Sequence, residues 1–118
     1  MRVLVRVSVL DPLLMLKLKA NPTFRGKVKI ASPGETPTAI EFEFRHFTRK
    51  AYAEWLTGEA SKTRSYTDAV LDIAVGWFDV DGEFTRESVD ELLQNYHAAG
   101  LAILEAHAEA LTGARLGN

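Results

Sequence analysis

Cysteine is absent from the 118 residues. Its absence removes thiol catalysis, Cys-based zinc sites and a disulfide framework, and it suits a reducing compartment. An excess of charge of one sign is also lacking. The 14 Lys and Arg against 16 Asp and Glu leave a formal charge of −2, and no block of Lys or Arg is placed to follow a nucleic-acid backbone. Long apolar runs are missing as well. Met1 to Leu18 superficially resembles a signal peptide, but Val3, Val5, Val7 and Val9 alternate with Leu4, Arg6, Ser8 and Leu10, and Arg6, Asp11 and Lys17 interrupt the run. That alternation predicts a strand, too short and too charged to span a bilayer. Translation from Met15 is the alternative, which makes residues 1–14 an N-terminal extension.

What is present fits one globular domain over residues 1–118: 47% of residues are hydrophobic and 25% charged. Residues 15–47 read mainly as strands and 48–118 mainly as helices. In the first part, Phe24, Gly26, Val28 and Ile30 share one face of a strand, and Ile40, Phe42, Phe44 and His46 share one face of a second. Between them, Ser32-Pro33-Gly34-Glu35-Thr36-Pro37 is turn-forming. Pairing Lys29 with Glu41 and Lys27 with Glu43 sets Val28 beside Phe42 and Ile30 beside Ile40, with an apolar face and a face of opposite charges. Leu16 and Leu18 alternate with Lys17 and Lys19 and predict a further strand ahead of the hairpin, since two strands alone are marginal in water.

Beyond His46 the apolar period becomes helical. Thr48 caps a helix carrying Ala51, Tyr52, Trp55 and Leu56 that ends near Gly58, and Glu59 to Arg64 reads as a polar loop. Ser65 or Thr67 opens a second helix with Val70, Leu71, Ala74 and Val75 inward, closed by Gly76. Thr85 caps a third, with Phe84 before it poised to staple onto Val89, and Val89, Leu92, Leu93 and Tyr96 along its apolar side. His97-Ala98-Ala99-Gly100 predicts a break. The last helix carries Leu101, Ile103, Leu104, Ala110 and Leu111 and stops at Gly113. The order predicts an α+β fold, an N-terminal antiparallel β-hairpin or small three- to four-stranded sheet followed by three or four packed helices.

Candidate chemistry is sparse. Asp79-Val80-Asp81-Gly82 has the look of a calcium loop, but aligning Gly82 with the loop glycine puts Trp77 at the first ligand position and Ser88 at the final glutamate position. A turn before a capped helix accounts for the same residues. His46, His97 and His107 have no metal-ligand spacing, the serines lack a G-x-S-x-G setting, and no phosphate-binding glycine motif occurs. No cofactor and no catalysis are expected. The aromatic residues are the more informative set: Trp77, Phe78, Phe84, Leu93 and Tyr96 form the candidate partner-binding cluster, weighed against a plain core role.

Order and spacing over residues 15–118 then suggest a relationship. Phe44-Arg45-His46 follows the strand pair. Gly76-Trp77, Phe78-Asp79-Val80-Asp81-Gly82 and Phe84-Thr85 lead into a helix reaching Leu92-Leu93, and the chain closes with Ala110-Leu111-Thr112-Gly113-Ala114-Arg115 and Gly117-Asn118. Together these residues resemble a family of tail assembly chaperones of long-tailed phages and prophages. The chain departs from that pattern at His97-Ala98-Ala99-Gly100 and at His107, where the family often has a proline and a tyrosine. The resemblance implies a non-enzymatic protein of the bacterial host cytoplasm that self-associates, binds the tape measure protein, and leaves as tail-tube subunits polymerise; the tail-tube protein is a further candidate partner. The alternative reading is a structural virion component such as a tail-tube or head–tail connector protein, and an unrelated binding module is the third.

Overall fold

A computed structural model describes residues 15–113. Valine, isoleucine and phenylalanine at alternate positions build the first two strands, β1 (Thr23–Ile30) and β2 (Thr38–Arg45), which pair antiparallel. Between them Glu35 N donates to Ser32 O over 3.1 Å, with Gly34 at φ 75°. Pro33 followed by a left-handed glycine is the arrangement a type II turn demands.

The register differs by two residues from the charge-matched expectation. Lys27 faces Glu41, Arg25 faces Glu43, Val28 faces Ile40, and Ile30 faces Thr38. A slip of two leaves every side chain on its original face, so hydrophobic alternation alone does not discriminate between the registers. The observed one shortens the link and sets Phe24 opposite Phe44, ring centroids 5.7 Å apart. Gly26 fits beneath this pair, since a Cβ there would stand 2.9 Å from the Phe44 ring. The ion pair that forms is diagonal, Arg25 to Glu41 at 3.1 Å, and exposed. His46 lies just past β2, exposed, with its N–H donating to Pro22 O over 2.9 Å.

The expected strand at Leu16 and Leu18 is not there; both side chains are in solvent, at 93% and 101% exposure. The third strand comes instead from the helical half. Helix α1 (Arg49–Thr57) is capped by Thr48, whose hydroxyl accepts from Ala51 N. A short 3-10 turn over Glu59–Lys62 replaces the expected polar loop and leads to α2 (Tyr66–Ile73), opened by a capping box of Ser65 and Asp68. Helix α2 stops at Ile73 rather than Gly76, and Ala74–Phe78 becomes β3, antiparallel to β2, giving the order β1-β2-β3.

The misplaced boundary has a specific cause. Val70, Ile73, Ala74 and Trp77 are all buried, a spacing that mimics a helix continuing to Trp77. A bulge in the β2–β3 pairing produces the same spacing: Phe42 faces Trp77 and Phe44 faces Ala74, leaving Val75 as the extra residue, 41% exposed. Without the bulge Ala74 and Trp77 would lie on opposite faces.

Helix α3 (Arg86–Asn95) begins at Thr85, whose hydroxyl accepts from Ser88 N, and Phe84 packs into the core that holds Val89. Helix α4 (Ala99–Thr112) follows the break and ends at Gly113, φ 73°. Helix α4 lies against β1, and α2 packs on both α3 and α4. The core between sheet and helices contains Val28, Ile40, Phe42, Phe44, Ile73, Trp77, Val89 and Ile103. The opposite sheet face keeps its charges in solvent. A three-stranded antiparallel sheet with four helices is the α+β class expected. The strand expected at Val3–Val9 and the tail beyond Gly113 lie outside the described residues.

Candidate binding groove

Two ends of the molecule concentrate aromatic side chains. At one, His107 of α4 is fully buried among Phe24, Phe44, Phe47 and Tyr52, with centroid distances of 6.0, 5.3, 5.4 and 5.8 Å. Its Nε2 lies 2.9 Å from Arg45 O. A carbonyl only accepts, so Nε2 carries a proton, while buried Nδ1 lacks a protein partner among the described residues. Burial pushes the imidazole pKa below its ordinary value, against the Arg45 carbonyl, which favours the charged form; His46 adds a small further push downward. This histidine is a structural strut tying α4 to the end of β2.

Outside this buried cluster lies a depression of about 390 Å³ bordered by Phe47, Arg49, Tyr52 and Leu111. The other end carries two depressions. β3 delivers Trp77 into the core, where its ring meets Phe84 edge-on at 5.3 Å and Phe42 at 6.1 Å. Trp77 Nε1 donates to Gly82 O over 2.8 Å and thereby closes the turn after β3. Asp79, in the left-handed region at φ 67°, reverses the chain there; aspartate is among the few side chains that tolerate this. The turn projects Val80 toward Leu92 and Tyr96 of the α3 end. Two adjoining depressions result, of about 380 and 290 Å³, sharing Val80, Asp81, Leu92 and Tyr96 as walls. The first extends past Trp77 to Glu91 and Asn95, the second over the edges of Ile30 and Ile40 to Asp79.

The five residues singled out from the sequence are thus divided. Trp77 and Tyr96 line the groove, and Phe84 braces Trp77 from the core side. Phe78, one residue along the strand, points to the opposite sheet face, 38% exposed, with the Arg25 guanidinium 3.8 Å above its ring. Leu93 packs half-buried on the core and is not a groove wall. Val80, Asp79, Asp81 and Glu91 join the site without having been expected there. Their signal is the acidic turn immediately before a capped helix, visible in the sequence but resembling no more than a failed calcium loop.

Among the described residues no three His, Asp or Glu side chains are grouped so as to hold a metal ion, and no helix is long and apolar enough to cross a membrane. Fold and groove define a small α+β domain with an open cleft of mixed polar and apolar walls and acidic side chains beside it. The chain belongs to the phage tail assembly chaperone family, whose profile matches residues 14–118. No curated protein and no solved structure matches it. The family implies a phage tail protein as partner and points to binding rather than catalysis.

Proposed function

We propose that this protein is a tail assembly chaperone that binds the tape measure protein in the cytoplasm of the bacterial host, without cofactor or catalysis, and that it self-associates to cover that long client. The observation that carries the reading is the family match over nearly the whole chain. The open groove beside Tyr96 adds support, because a chaperone needs apolar surface that its own fold leaves uncovered.

Co-expression with the tape measure protein encoded by the same phage tests the reading. The expected outcome is a co-purifying complex and a larger soluble fraction of the client; failure of both overturns it. Mass spectrometry of purified particles separates the alternative: a tail-tube or connector protein is present there in stoichiometric amount, whereas a chaperone is absent.

A further inference from the structure

We infer that the groove beside Tyr96 takes an amphipathic client helix whose apolar anchors are flanked by lysine or arginine. The inference rests on the chaperone reading and adds the chemistry of the segment recognised.

Charge carries the argument. Asp79, Asp81 and Glu91 stand around the groove formed by Val80, Leu92 and Tyr96, and no lysine or arginine is among its lining residues. None of the three carboxylates forms an ion pair among the described residues. Four acids elsewhere are paired, Glu41 to Arg25, Glu59 to Lys62, Asp72 to Arg64 and Asp68 to Arg86, while others such as Glu54 and Glu87 stand in solvent; what sets the groove acids apart is the apolar surface beside them. The groove sets three carboxylates, with no cation among its lining residues, beside the apolar surface of Val80, Leu92 and Tyr96, and basic flanks on an apolar anchor complement both features.

Geometry favours a helix as occupant. Leu92 and Tyr96 are four residues apart, with Tyr96 N–H donating to Leu92 O over 2.9 Å, so the apolar wall repeats at the pitch of one helical turn. Client anchors at i and i+4 match that repeat. On the opposite wall the Trp77 Nε1 to Gly82 O hydrogen bond ties down the turn that presents Val80 and Asp81.

A synthetic amphipathic helix of about fifteen residues, with leucine anchors and lysine flanks, is titrated by fluorescence anisotropy against a twin carrying glutamate in place of every lysine. The lysine peptide is expected to bind at least about tenfold tighter, with the difference shrinking as salt rises. In the Asp81→Lys/Glu91→Lys double variant, its fold verified by circular dichroism, the preference is expected to vanish or invert. Equal affinity for the two peptides, or an unchanged preference in the double variant, overturns the inference. Removing residues 1–13 is expected to leave the preference intact. If the peptide binds only after that removal, the occupant is the chain's own N-terminal segment and the client assignment falls.

Tape measure solubility separates this inference from the function it rests on. If wild type and double variant protect the client equally, the groove is overturned while the chaperone reading stands. If the wild type discriminates the peptides yet gives the tape measure protein no protection, the groove chemistry is supported and the chaperone reading fails.

Discussion

The His107 end and the Tyr96 end are built from similar side chains, and each carries open surface, but the charges beside that surface differ: Arg49 at the first, Asp79, Asp81 and Glu91 at the second. At the first, the interior is closed, since Phe44 and His107 have no exposed surface and His107 Nε2 is directed at a backbone carbonyl, while the depression lies outside it against Phe47 and Tyr52. At the second, Tyr96 is half-buried, the walls leave two depressions, and the nearby carboxylates have no ion-pair partner among the described residues. Aromatic content alone therefore does not mark a site. Open surface beside charge is what a partner can use, because surface already buried and paired inside the chain has little left to offer.

The sharpest way to break the comparison is to empty the closed end. Phe44→Ala is expected to cost about 3–5 kcal/mol in urea unfolding, since a fully buried ring leaves a cavity among tightly packed neighbours. Gly26→Ala attacks the same end by overpacking. Its Cβ would meet the Phe44 ring at 2.9 Å, and that ring has no room to retreat, so a loss of about 1–3 kcal/mol is expected in the same assay.

Acid probes the closed end without mutation. The folded-state pKa of His107 is lowered, so the unfolded chain binds more protons below the ordinary histidine value of about 6.5. Its contribution is intact above that pH and is lost as pH falls toward the folded value, with a slope of at most about 1.4 kcal/mol per pH unit. Thermal melts from pH 7 to 5 should show this fall, and His107→Gln, which retains a donor for Arg45 O, should flatten it.

At the open end the effects on stability are smaller. Thr85→Ala removes the hydroxyl that caps α3 and is expected to cost about 1 kcal/mol by chemical denaturation. Asp81→Lys with Glu91→Lys changes only exposed rim charge and should shift stability by no more than about 0.5 kcal/mol for each substitution. A large loss there would erase the distinction between a closed strut and an open site.

Much of the architecture is legible in the amino-acid sequence. The caps at Thr48, Ser65 and Thr85, the break before α4, and the stop at Gly113 are local devices, satisfied within a few residues of chain, and their chemistry is written in side-chain type. The hairpin is legible for the same reason, because a turn rich in proline and glycine separates two alternating segments. The position of the candidate groove is only partly legible. Trp77 and Tyr96 line the groove, whereas Phe78 is carried to the far face by strand alternation because Ala74–Phe78 is a strand.

Sequence by itself determined the α+β order, the faces of the first two strands, the helix caps and the likeness to a family. Tertiary structure alone decided the two-residue register, the conversion of Ala74–Phe78 into a third strand, and which acids remain unpaired beside the groove. The reason is range. A cap or a turn is satisfied by near neighbours, but a register slip of two preserves every face, a bulged strand reproduces helical spacing, and an ion pair depends on residues brought together from distant segments. Those alternatives separate only when the sheet, α3 and α4 close on one another.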